Sequence, residues 1–128
     1  MNKTIATDRA PQALGPYSQG VKSGKTLYCS GQIGIDPKKG TLVSSDVEPQ
    51  AKQALENVKA IVTAAGLDVA DIVKVTVFMV NINDFGKINE IYAAFFEGAS
   101  LLPARSAVGV QALPASATVE IEALAVQH

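Results

Sequence analysis

The chain has 128 residues, 48% of them hydrophobic and 18% charged, with a formal net charge of −1. That length fits one domain, residues 1–128, with a real core, and the hydrophobic content excludes intrinsic disorder. No apolar run reaches the ~18–20 residues of a membrane span, and near-neutral charge argues against non-specific nucleic-acid binding, which needs many Lys and Arg to neutralise phosphates.

Met1-Asn2-Lys3-Thr4 leads into no apolar signal region, and the lone Cys29 has no intrachain disulfide partner. The expectation is a small cytoplasmic α+β domain. After a short start at Met1–Thr7, Asp8-Arg9-Ala10-Pro11-Gln12 breaks any regular element. Leu14-Gly15-Pro16-Tyr17-Ser18 reads as a turn, with Gly beside Pro. Gln19–Lys22 and Thr26–Gly31 read as short strands joined by a hairpin loop at Ser23-Gly24-Lys25, and Ile33–Asp36 extends the second before the Pro37–Gly40 turn.

Asp46 to Ala65 is the clearest helix. Val47, Ala51, Ala54, Leu55, Val58, Ile61, Val62 and Ala65 form one apolar stripe. Asp46 suits the N-cap, Pro49 is tolerated in the first turn, and Gly66 stops the helix. Ile72–Val80 is a β-rich run with Val73, Val75, Val77 and Met79 on one face and Lys74, Thr76 and Phe78 on the other. A second helix runs from an Asp84 N-cap to about Glu97, with Phe85, Ile88, Ile91, Tyr92, Phe95 and Phe96 as its stripe.

Two strands close the chain, Ala104–Ala112 and Thr118–Val126, separated by Leu113-Pro114-Ala115-Ser116. The order ββ(β)αβαββ implies two helices on one face of a small, largely antiparallel sheet. Both closing strands carry apolar residues on either face, so the face without helices needs a second cover, and a closed homo-oligomer supplies one.

The polar inventory is lean. His128, the only histidine, ends the chain, which removes a Ser-His-Asp triad and a His-based metal site from consideration. No GxGxxG or Walker A pattern points to a nucleotide cofactor. Of the two arginines, Arg9 reads as a solvated charge, whereas Arg105 opens a strand of small and apolar residues. It is either a structural ion pair or an anchor for a planar carboxylate. Glu120 and Glu122 share one face of the last strand. They are either solvated or placed in an apolar wall with a raised pKa, able to exchange protons with water. Tyr17 either presents its hydroxyl from a rigid turn or packs over the core. Ser30-Gly31 invites a ligand close to the backbone or marks a bulge. Asn89 sits on the second helix, and Cys29 reads as a small apolar filler.

Gly15-Pro16-Tyr17-Ser18-Gln19, Ser30-Gly31-Gln32-Ile33, Pro103-Ala104-Arg105-Ser106 and Val119-Glu120-Ile121-Glu122-Ala123 together resemble the RidA (YjgF/UK114) family across essentially the whole chain. The resemblance implies a chorismate-mutase-like fold of the bacillus type and a cytosolic homotrimer with clefts between subunits. It also implies cofactor-free and metal-free hydrolysis of 2-enamine/2-imine acids to 2-keto acids and ammonia. By motif, Arg105 would hold the substrate carboxylate and Glu120 would position water. Tyr17 would join them as a catalytic residue in the pocket wall, and Ser30, Gly31, Asn89 and Ala107 would bind the substrate. Ala107 stands where family members often carry Cys.

If the last two strands pair around the Leu113–Ser116 loop, Glu120 lies opposite Val110 and Arg105 is about 16 Å further along. Either the register is unusual or Arg105 of one chain meets Glu120 of another. The alternative functions are a non-catalytic binder of small carboxylates and, less favoured by the charge, an endoribonuclease or translation inhibitor. No nucleic-acid or membrane partner is expected.

Overall fold

The computed structural model describes all residues, Met1–His128. The elements are β1 (Lys3–Ile5), β2 (Gly20–Ser23), β3 (Thr26–Ile33), α1 (Val47–Ala64), β4 (Ile72–Met79), α2 (Phe85–Phe95), β5 (Ala104–Gly109) and β6 (Val119–Val126). They build one six-stranded mixed sheet in the order β1-β2-β3-β6-β4-β5. Both helices cover the same face. Their buried stripes, Ala51, Leu55, Val58, Ile61 and Val62 of α1 and Ile88 and Tyr92 of α2, meet Val75, Val77 and Met79 of β4 and Val119, Ile121 and Ala125 of β6. The α+β reading, two helices on one face of a mixed, largely antiparallel sheet, holds.

Several local expectations hold for the reasons that suggested them. Gly24 closes the β2–β3 hairpin at φ 60, and Gly66 ends the region of α1 at φ 80, values that suit a residue without Cβ. Four details differ. The start of the chain is not a bare leader, because Lys3–Ile5 adds an edge strand antiparallel to β2. Asp84 occupies the N-cap of α2, but in helical backbone and without a side-chain cap bond. A one-turn 3₁₀ helix, Ile82–Asp84, precedes α2, and Asn81 caps it by accepting a 3.0 Å bond from the Asn83 N–H. Asp46 occupies the N-cap of α1 in extended backbone but makes no side-chain cap bond. Val73 is not on the buried face with Val75. A register shift between Ile72 and Lys74 leaves it 45% exposed.

The larger correction concerns β5 and β6, which do not form a hairpin. β5 pairs parallel with β4, and β6 lies between β3 and β4, antiparallel to both. Parallel neighbours need a crossover, and α2 is that crossover for β4 and β5. β3 and β4 likewise run parallel across the gap that β6 fills, with α1 between them in sequence. The connection after β5 turns away through Ala115 and Ser116, both at φ 57 in the left-handed region.

Three buried polar side chains tie the irregular segments to this frame. Asn57, fully buried on α1, donates to the carbonyls of Ile33 and Ile35 at 3.1 and 3.0 Å. Gln50 accepts from the Thr118 N–H at 2.8 Å and donates to the Ser44 carbonyl at 2.8 Å. Gln19 takes the Thr7 N–H at 2.6 Å and donates to the carbonyls of Thr7 and Pro11 at 2.9 and 2.8 Å, ordering the leader. Truncating Asn57 takes this donor from the Ile35 carbonyl and leaves that of Ile33 with only the Ile35 N–H at 2.8 Å. Asn57→Ala is therefore expected to lower stability by roughly 2–3 kcal/mol in urea denaturation, with the m-value unchanged.

Candidate functional site

The expected site residues fall into two clusters. The first lies on the face of the sheet that carries no helix. Cys29 pairs with Ala123 and Gln32 with Ile121, so β3 gains one residue on β6 between them. Ser30 and Gly31 occupy this bulge. The Ser30 hydroxyl donates to the Ser18 carbonyl at 2.6 Å and its N–H to the Gln19 carbonyl at 2.9 Å, which pins the Tyr17 turn against β3.

Gly31 makes room for Glu120. A Cβ at position 31 would stand 2.8 Å from the Glu120 carboxyl carbon and closer still to Oε2. Both sequence readings of Ser30-Gly31, a bulge and a close approach, are therefore realised, and within the chain what approaches is its own carboxylate. Tyr17 is 49% exposed and is not a lid on the core. It borders an open cavity of about 310 Å³ shared with Ser30, Lys74, Thr76, Glu122 and Leu124.

Burial pushes the Glu120 carboxyl above the usual carboxylate range, and the charge of Glu122 adds to the shift. Of the two alternatives for this strand face, Glu120 follows the partly apolar wall and Glu122, which is exposed, the solvated one. Cys29 is buried and its thiol is pushed up to about 12, chiefly by desolvation, so it stays protonated and inert.

The second cluster is on the helix side. Arg105 pairs with Val75, which is 1% exposed, so its side chain leaves the sheet towards α2. Its Nη1 donates to Asn89 Oδ1 at 2.6 Å. Its guanidinium carbon lies 4.8 Å from the Tyr92 ring centre and 5.3 Å from that of Phe85. Ala107, two residues on, shares this face and packs against the core. The only ion pair in the chain joins His128 to Asp71, so Arg105 has no internal carboxylate partner. That removes the structural ion-pair reading. Phe85 and Tyr92 read as core stripe from sequence. Their spacing with Asn89, i, i+4, i+7, was the available signal that all three share the face presented to Arg105.

The two clusters do not meet within one chain. Arg105 is level with Val75 and Glu120 with Phe78, three residues apart on β4 and one strand to either side. The backbones are then roughly 14 Å apart, from ~3.3 Å per residue and ~4.8 Å per strand. An odd offset also sends the side chains to opposite faces. The pairing of Glu120 with Val110 expected from a terminal hairpin is wrong, but the separation it implied persists for this different reason. No cluster of His, Cys, Asp and Glu is arranged to hold a metal ion.

A family model described as Endoribonuclease L-PSP matches residues 7–127. A curated protein of Salmonella typhimurium, named 2-iminobutanoate/2-iminopropanoate deaminase, is 57% identical over 100% of both chains. Among solved structures, the YjgF gene product of E. coli is 54% identical, covers 98% of this chain and 99% of its own, and superposes with a TM-score of 0.94. E. coli TdcF with bound serine is 51% identical with the same coverage, 98% and 99%, and a TM-score of 0.94.

Gly31→Ala tests the coupling inside the first cluster. The added methyl should force the Glu120 carboxylate outwards into water. The expected outcome is a Glu120 pKa that falls back towards the ordinary carboxylate range in a carbon-detected NMR titration, with a lower thermal midpoint.

Proposed function

This chain belongs to the endoribonuclease L-PSP family, the RidA/YjgF family, and on that premise we propose that it hydrolyses 2-imino acids such as 2-iminobutanoate and 2-iminopropanoate to 2-keto acids and ammonia. One observation carries the reading at the level of residues. Arg105 is held on three sides by neutral groups and meets no carboxylate of its own chain. A buried-edge guanidinium in that condition suits a ligand carboxylate, which it grips through two parallel N–H bonds. The serine bound to the TdcF relative carries such a carboxylate.

The chemistry then follows from the other cluster. Glu120 takes a proton from water as the water oxygen attacks the imine carbon. The C=N π pair moves to nitrogen, where Glu120 returns that proton, giving a neutral carbinolamine. The carboxylate then takes the carbinol hydroxyl proton and delivers it to nitrogen as the C–N bond breaks, so ammonia leaves as the carbonyl forms. A carboxyl with a raised pKa is suited to both transfers, and positioned acid–base help of this kind is worth about 10²–10⁴-fold. Tyr17, Ser30 and Gly31 shape the wall around Glu120, while Asn89 and Ala107 border Arg105. No thiol is required.

Because Arg105 and Glu120 diverge within a chain, the site is assembled between copies. The apolar residues on the face without helices, Tyr28 at 53% exposed and Val108 at 40%, support a second copy as its cover. The proposed assembly is a homotrimer with one cleft at each subunit boundary. The ribonuclease activity in the family's description is less favoured here. The net charge is −1, and the single histidine is tied to Asp71 at the chain end.

Two experiments test this. In a threonine dehydratase coupled assay that follows 2-iminobutanoate loss, Arg105→Ala should abolish the acceleration and Arg105→Lys should fail nearly as badly, because an ammonium lacks the fork. Glu120→Gln should lower kcat by about 10²-fold or more. The wild-type kcat should decline as pH falls through the raised Glu120 pKa, since protonation removes the base, and Glu120→Gln should lose that limb. Second, inactive Arg105→Ala and Glu120→Ala chains, co-refolded in equal amounts, should regain about a quarter of the wild-type activity, the share of boundaries that pair two intact residues. No regain would rule out a shared site.

A further inference from the structure

The second cluster contains more than an anchor. Phe85, Asn89 and Tyr92 rise from one face of α2 and converge on the guanidinium of Arg105, which comes from the neighbouring strand. We propose that Phe85 and Tyr92 are positioning residues: their rings fix the plane of the Arg105 guanidinium, so that the edge left free by Asn89 is the edge offered to the substrate carboxylate. This rests on the reading of Arg105 as the carboxylate anchor and adds the device that orients it.

A guanidinium binds a carboxylate well only when both N–H groups of one edge point along it. A free arginine side chain rotates about several bonds, and that freedom is lost on binding. Here Asn89 takes an N–H of Nη1, and the aromatic neighbours hold the cation by attraction to their ring faces. The fork is thus set before the ligand arrives.

Tyr92 carries a second clue. It is 7% exposed, and its hydroxyl is buried without any hydrogen-bond partner. An unpaired buried hydroxyl does not stabilise the fold, so the ring is the part the site uses. Phe85 differs in being 38% exposed at the first residue of α2. It contributes little to the core, and its role at Arg105 can be probed without risk to folding.

The test measures affinity for 2-oxobutanoate by calorimetry alongside deaminase kinetics and thermal midpoints. Tyr92→Leu should weaken 2-oxobutanoate binding about tenfold and lower kcat/KM about as much, mainly through KM. Phe85→Leu should cost about three- to fivefold in both, with an unchanged midpoint. Tyr92→Phe should restore most of the loss and be no less stable than wild type. In an Arg105→Lys background, where the cation has no plane to orient and residual 2-oxobutanoate binding is read at raised ligand concentration rather than by turnover, either leucine variant should weaken that binding by less than about a further twofold.

Equal losses in both backgrounds, or none with Arg105 intact, would overturn the proposal. Should Tyr92→Leu fail to fold, Phe85→Leu carries the test alone. Failure of the functional reading looks different. Wild type would then leave 2-iminobutanoate untouched, or Arg105→Ala would bind 2-oxobutanoate as well as wild type does.

Discussion

The period of two along a β-strand governs this molecule. β6 alternates residues that bury against the helices, Val119, Ile121, Ala123 and Ala125, with residues that face away, Glu120, Glu122, Leu124 and Val126. Across β4, Glu120 is level with Phe78 and Arg105 with Val75. Three residues is an odd number, so the acid and the cation leave opposite faces of one sheet. A slip of one residue in either pairing would bring them to the same face, and it would also turn a buried row into solvent. Core burial therefore enforces the separation of the two polar groups, and that separation is the ground for proposing a partner copy at the site.

The rigidity of each half-site comes from groups outside the chemistry. Gln19 bonds the leader backbone and Ser30 bonds the Ser18 carbonyl, so the Tyr17 turn is held from both ends. Asn57 and Gln50 do the same for the segment after β3 and for the start of β6. At Gly34 the backbone of Gln50 comes so close that a Cβ would lie 2.6 Å from its Cα. Loops carrying functional groups are positioned by buried side-chain bonds to a regular scaffold, and those bonds are strong because the groups have no water to fall back on.

Both helices, all strands but β1, and the candidate residues of both clusters other than Phe85 and Tyr92 were legible in the sequence, for identifiable reasons. The α1 stripe has the helical period, Gly24 and Gly66 mark turns that need positive φ, and the motifs around Tyr17, Ser30, Arg105 and Glu120 supplied the site. What was not legible was non-local. Nothing within residues 104–126 states that β5 pairs parallel with β4, because that pairing depends on α2 acting as a crossover. A hairpin between sequence neighbours is the ordinary expectation, and it was wrong. The bulge at Val73 was hidden because one extra residue leaves no local composition signal. Phe85 and Tyr92 were read as core because an aromatic on a helical stripe is usually that, and their bearing on Arg105 depends on where β5 lies.

The same geometry explains why a lone carboxyl can keep a raised pKa beside an arginine-dependent site. Within a chain, Glu120 is shifted by burial and by Glu122, with Arg105 too distant and on the wrong face to stabilise its charge. In the proposed assembly a neighbour's Arg105 approaches, and an unpaired guanidinium there would favour the ionised carboxyl. The substrate carboxylate changes this by spending the guanidinium's charge on itself. On the proposed function, substrate binding would then return Glu120 to its burial-dominated state, with its pKa again above the usual carboxylate range. In that proposal, orientation by Arg105 and proton transfer by Glu120 are linked through charge rather than through contact.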